Sequence, residues 1–184
     1  MRELSLNVMD IAQNSLSAGA TLIGIDIAED PVRDELLIRV TDNGKGMDAA
    51  QISRVEDPFY TTRTTRKVGL GIPLFKMEAE MTGGSFEIHS VPGEGTAVTA
   101  RFVPSHVDMI PLGDIDGTVQ LLICGNPGVD FLYSRSCGDR NFTLDTRELR
   151  EVLGTDVTLD APEVLAWIHD YLSEQTKLIK EEET

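Results

Sequence analysis

The eight residues Val40-Thr41-Asp42-Asn43-Gly44-Lys45-Gly46-Met47 constrain this chain more than any other stretch. The run leading into them, Leu36-Leu37-Ile38-Arg39-Val40, has the apolar composition of a strand. That strand ends on a carboxylate, and two glycines spaced two apart follow it. Asp48, with Gln51 three residues later, has the pattern of a capping box and marks a short helix. A carboxylate held at a strand end accepts a hydrogen bond from an exocyclic amine. Glycines beside it lack Cβ, so a flat ring can lie close on the backbone. Adenine, whose amino group donates, suits this arrangement, whereas guanine places a carbonyl at the same point. An Asp-Asn-Gly turn in a β-hairpin is the competing reading of the same residues.

With 184 residues the chain has room for one or two domains and a real core. Arg2, Glu3 and Asp10 interrupt any signal-peptide pattern, and no apolar run reaches the roughly 20 residues of a spanning helix. No membrane partner is expected. Cys124 and Cys137 suggest neither a metal-type pair nor a disulfide framework, which fits a reducing cytoplasm. A net charge of −15 repels duplex DNA, so no nucleic-acid partner is expected. From Ser105 onward lie 16 of the 31 acidic residues but only 6 of the 16 basic ones. With Pro104 this marks a division into residues 1–104 and an acidic extension, 105–184.

Residues 4–18 lack Gly and Pro, and Gly19 is a natural helix stop. Leu4, Val8, Ile11, Ala12 and Ser15 recur at helical spacing and should face a core. Asn7, Asp10, Asn14 and Ser17 form a second stripe, of short polar side chains rather than the Lys and Glu of a solvated face. An Asn carbonyl is a hard oxygen ligand suited to Mg²⁺. Asp10, one turn from Asn14, is positioned to orient a water or hydroxyl near a phosphate. Strands are expected over 21–28 and 36–40.

Arg63, Arg66 and Lys67 cluster in a strongly acidic chain and ask for an anionic partner. Val68-Gly69-Leu70-Gly71-Ile72-Pro73 follows, Pro73 fits the first turn of a helix over 74–81, and Gly83-Gly84 ends it. Glycines before a helix N-terminus, with hydroxyls and arginines upstream, describe a phosphate cradle. Residues 85–90 and 96–103 alternate as a hairpin around Pro92-Gly93-Glu94-Gly95. Thr96 sets a hydroxyl near the base pocket.

Five boxes now stand in order: Asp10-Ile-Ala-Gln-Asn14, Asp42-Asn-Gly-Lys-Gly46, Asp57-Pro-Phe-Tyr-Thr-Thr-Arg63, Gly69-Leu-Gly-Ile72 and Pro92-Gly-Glu-Gly-Thr96. Over roughly residues 4 to 103 the chain resembles the GHKL ATPases, which join DNA gyrase, ATP-dependent chaperones, histidine kinases and mismatch-repair ATPases. The later boxes look most like histidine kinases; the first helix looks more like the mismatch-repair type. The resemblance implies an α/β sandwich of the Bergerat type, a mixed sheet covered on one face by helices, with ATP and Mg²⁺ between the first helix and a lid. It implies that Asp42 binds the adenine amino group, Gly44 and Gly46 line the base, and Thr96 bonds near it. It also implies that Asn14 ligates Mg²⁺, and that Gly69, Gly71 and Arg63 meet the phosphates. Asp10 stands where hydrolysing members carry Glu, one methylene longer, so turnover is the departure and binding is not. The chain opens on the nucleotide-binding helix with no His-Glu-x-Arg/Lys-Thr-Pro phosphoacceptor helix before it, and the expectation is a module rather than a complete histidine kinase.

In the extension, 119–124 reads as a buried strand, Asn126-Pro127-Gly128 as a turn and 129–134 as a second strand. Asp145 with Glu148, and Asp160 with Glu163, read as capping boxes of helices over 146–153 and 161–179. The whole chain is similar to small stand-alone ATP-binding proteins of anaerobic bacteria, often encoded beside hydrogenase subunits, which implies a protein partner in hydrogenase or redox regulation. The expected function is that of a histidine-kinase-like module that phosphorylates or controls a separate protein. A non-catalytic ATP sensor and a weak ATPase clamp are the alternatives.

Overall fold

A computed structural model of the chain describes residues 3–57 and 71–181. Along the chain run α1 (Leu4–Ser17), β1 (Leu22–Asp30), β2 (Glu35–Asp42), α2 (Ala49–Glu56), α3 (Gly71–Met81), β3 (Ser85–Val91) and β4 (Gly95–Phe102). They are followed by α4 (Ile115–Gly125), β5 (Asp130–Cys137), β6 (Arg140–Asp145), α5 (Thr146–Leu153) and α6 (Pro162–Lys180). The strands form one mixed sheet in the order β3-β4-β2-β1-β5-β6. The β1–β5 pair is parallel and the other pairs are antiparallel.

Alternation along the strands decides where the core lies. Ile23, Ile25 and Ile27 of β1, Ile38 and Val40 of β2, and Val98, Ala100 and Phe102 of β4 are buried on one face. Against that face pack α1, α3, α4 and α6, which bury Val8, Ile11, Phe75, Leu122 and Ile168. The opposite face carries Asp26, Arg39, His89 and Arg101 along an open polar groove. This is the α/β architecture expected, with helices on one face of a mixed sheet.

The first four strands and α1 to α3 lie where the sequence puts them, and α2 shows both halves of the Asp48–Gln51 capping box. The extension differs. Residues 119–124 belong to α4, not to a strand. Asp114 caps that helix by accepting from the Gly117 N–H at 2.9 Å. Val119, Leu122 and Ile123 then share its buried face at helical spacing. A short apolar run fits either period, and the cap is what settles it. The strand expected over 129–134 is β5, and β6 is a strand that the sequence reading did not assign. Asp145 does cap α5, through the Arg147 N–H at 2.9 Å rather than in a box with Glu148. Before α6 the cap position is Ala161, Pro162 fills the first turn, and no side chain caps it.

Two features tie the segments on either side of Pro104 together. Glu3 offers α1 no side-chain cap; the N–H groups of Leu4 and Ser5 instead donate to the Pro111 and Leu112 carbonyls at 3.0 and 2.9 Å. Two of the orphan donors that any helix start must satisfy are thus met from the segment before α4. On β5, the buried Arg135 donates to Glu29 of β1 at 3.3 Å, to both oxygens of Asp116 of α4 at 3.2 Å, and to Thr176 of α6 at 3.3 Å. Tyr133 donates to the same Asp116 at 2.8 Å, and burial, with that carboxylate beside it, pushes the Tyr133 hydroxyl well above its ordinary range.

Candidate functional site

Where β2 ends, its last residue lies across from Thr96 of β4 and beneath α1. A cavity of about 220 Å³ opens there, bordered by Ile11, Asn14, Asp42, Val55, Ile72 and Thr96 among others. That is smaller than the roughly 300–1,000 Å³ of pockets that enclose a whole drug-sized ligand. A cavity of that volume encloses only part of such a ligand.

The Asp42 carboxylate is fixed from two sides. Ser15 of α1 donates to Oδ2 at 2.6 Å, and the Gly44 N–H donates to Oδ1 at 2.8 Å. A carboxylate has about four lone-pair sites, so each oxygen keeps capacity for one more donor. Sequence spacing places Ser15 on the core face of the helix, and it is buried there, but its hydroxyl serves the site. The signal that would have found it is a buried hydroxyl in an otherwise apolar stripe, which must have a partner.

The loop after Asp42 is stapled down by its own neighbours. Asn43 accepts from the Thr21 and Leu22 N–H groups at 2.9 and 3.0 Å and donates to the Thr21 hydroxyl at 2.9 Å. The glycines are set by the chain around them as well. Gly46 has φ +66°, and a Cβ there would meet the Val91 carbonyl oxygen at 2.0 Å. A Cβ on Gly44 would lie 2.9 Å from that of Ala18. Their bareness therefore serves loop packing first; Gly46 borders the cavity, and Gly44 supplies its N–H to Asp42. Ser90, which sequence reasoning passed over, accepts from the Met47 N–H at 2.8 Å and shares a 2.8 Å hydrogen bond with the Thr96 hydroxyl.

The polar stripe of α1 divides. Asn14 and Ser17 are exposed and border the cavity. Asp10 is exposed and faces the start of α3, where a Cβ on Gly71 would stand 2.7 Å from its own Cβ. Gly71 is thus the first residue of the helix and allows α1 and α3 to approach closely. Asn7 is not part of the open face: it is buried and donates to Glu78 of α3. Arg63 and Gly69, with Arg66 and Lys67, lie outside the described residues.

Asn14 brings a single side-chain carbonyl oxygen to the edge of the cavity, a donor type that fits Mg²⁺, which keeps several waters and takes one or two protein oxygens beside phosphate oxygens. Among the described residues, no group of three or more His, Cys, Asp and Glu side chains gathers as a metal cage, and no helix is long and apolar enough to cross a membrane.

Fold and site together define the Bergerat-type α/β class. Within it, the chain belongs to the histidine kinase-, DNA gyrase B-, and HSP90-like ATPase family, whose model matches residues 1–106. It is 32% identical over 114 residues to a non-motile and phage-resistance protein of Caulobacter vibrioides, a match covering 59% of this chain and 14% of that protein. The sensor protein kinase FleS of Pseudomonas aeruginosa is 35% identical over 92 residues, covering 50% of this chain and 23% of the kinase. The chain thus spans less than a quarter of either curated relative. A solved N-terminal domain of a DNA repair protein matches with a TM-score of 0.50 at 14% identity, over 79% of this chain and 53% of that one. That last likeness is one of fold.

Proposed function

We propose that the protein binds ATP with Mg²⁺ through residues 1–104 and acts in the cytoplasm as a histidine-kinase-like regulatory module, transferring phosphate to a separate protein or otherwise controlling it. The observation that carries this is the Asp42 carboxylate, oriented by Ser15 and Gly44 at the mouth of a base-sized cavity. In this reading Asp42 accepts from the adenine amino group, Thr96 bonds beside it, and Gly46 borders the ring. Asn14 holds Mg²⁺, which when bound neutralises phosphate charge, and Asp10 orients the attacking water or hydroxyl. Gly69, Gly71 and Arg63 belong to the phosphate end by their place in the sequence motif. The kinase relatives support a protein partner, and neither relative named above points to a hydrogenase, so the partner is defined by its chemistry alone.

Asp42→Asn offers a donor where the adenine amine needs an acceptor. Calorimetry should show ATP affinity falling by about 2 kcal/mol or more, the cost of a buried polar group losing its partner. Unchanged affinity in a folded variant removes the adenine assignment. A second reading, a sensor without turnover, is favoured by Asp10 itself, whose short side chain replaces the usual Glu. Steady ATP hydrolysis that vanishes in Asp10→Asn excludes the sensor.

A further inference from the structure

Two strands away from β1, at the β6 edge of the sheet, α5 and α6 leave a trough of about 720 Å³. Leu144 and Val164 floor it, Leu149 and Val152 form one wall, and Trp167 and Tyr171 form the other. The two rings stack with centroids 5.1 Å apart and planes 12° from parallel. The Tyr171 hydroxyl donates to the Thr143 carbonyl of β6 at 3.1 Å, which fixes that wall in place. A rigid aromatic wall of this kind is prepared for contact without an ordering cost.

The walls lie open. Val152 is 86% exposed and Trp167 49%, so the trough does not seal around a small ligand but presents a surface that another surface can cover. Charge says what kind. Glu148 precedes Leu149 on one helix and Glu163 precedes Val164 on the other, so each wall carries a glutamate at its lip. Neither forms an ion pair among the described residues. The cations nearest in sequence are already paired: Arg147 with Asp145, which also lines the trough, at 2.7 Å, and Arg150 with Asp130 at 2.7 Å. Whatever covers the apolar floor must therefore bring positive charge to its rim, or bury two carboxylates without compensation.

We infer that this trough docks an amphipathic helix of a partner protein, whose apolar stripe is bordered by lysine or arginine. Such a helix places side chains at i, i+3, i+4 and i+7 along a groove of this form. The trough is separate from the Asp42 cavity, and the inference holds whether or not adenine binds there.

Trp167 is the one tryptophan of the chain, so its emission reports this surface and no other. The probe is a synthetic peptide of roughly 18 residues, about five helical turns, with leucine along one face and lysine elsewhere. Titrated into the full chain, it should shift Trp167 emission to shorter wavelength and saturate. Val152→Asp should weaken binding by about tenfold or more, since it sets a charge on the wall. Glu148→Lys combined with Glu163→Lys, at exposed positions, should do the same and keeps the test valid if the first variant fails to fold.

A chain of charge −15 attracts any cationic peptide, so a second peptide carries the same residues with the leucines scattered around the helix. Equal affinity for both peptides overturns the inference, as does unchanged Trp167 emission in the presence of saturating patterned peptide. Sedimentation equilibrium separates the remaining possibility: a wild-type dimer that Val152→Asp dissolves assigns the trough to a second copy of the chain and overturns a basic partner.

Discussion

The residue that most repays attention at the candidate site is Ser15. It leaves the core stripe of α1 only by its hydroxyl, and that hydroxyl holds one oxygen of Asp42. Ser15→Ala keeps the helix and removes the bond, leaving the carboxylate free to turn. ATP affinity should fall by about 1 kcal/mol, roughly fivefold, a typical net value for one hydrogen bond. Calorimetry beside circular dichroism checks that binding changes and the fold does not. The place of Asp42 at the end of β2 was legible, because the apolar run before it reads as a strand that stops on a carboxylate. Ser15 was not, because periodicity sorts residues by face and says nothing of which hydroxyl finds a partner. The same blindness put Asn7 on the open stripe, where its amide is in fact spent on Glu78. Nor could periodicity show that Ala18 and Val91 constrain Gly44 and Gly46 from within the protein.

At the scale of elements, the outcome follows how many independent signals each one carried. For α2, the Asp48–Gln51 capping box fixed the start, and the helix stands where it put it. The α4 run had composition alone, and composition cannot tell a buried strand from a buried helix turn. Its cap at Asp114 was the missing evidence of period. The cap of α5 also makes a measurable pH dependence. Hydrogen bonding from the Arg147 side chain holds the Asp145 carboxyl below its usual value. A carboxyl that is more acidic folded than unfolded stabilises above the unfolded value of about 3.9 and loses that contribution as pH falls through the lowered native one. Asp145→Ala should therefore cost about 1 kcal/mol near pH 6, as lost caps do. The difference from wild type should narrow on acidification below pH of about 4, in urea midpoints measured across the range. A constant difference would mean that the Asp145 charge plays no part.

For the whole molecule, Arg135 is the point where β1, β5, α4 and α6 meet. Arg135→Met keeps the volume and removes the charge, so Asp116 is left half-buried with only Tyr133 and Thr176. Breaking such a pair from one side costs about 3–5 kcal/mol. Denaturant titrations followed by Trp167 emission and by far-ultraviolet dichroism should lose stability together, since both sides of Pro104 share one sheet. Divergent midpoints would show that the two segments unfold separately. That shared sheet also bears on how the protein is made. Leu22 pairs with Asp130, so the β1 edge has to wait for a strand that is translated roughly a hundred residues later. At roughly 5–20 residues per second, this is a delay of roughly 5–20 s on the ribosome. Through that interval Ile23, Ile25 and Ile27 lie in a strand with one open flank, and α1 has no Pro111 or Leu112 to close its first turn. A nascent chain in that state offers chaperones an apolar strand edge, while the residues that line the Asp42 cavity, from Ile11 to Val98, have all been made already.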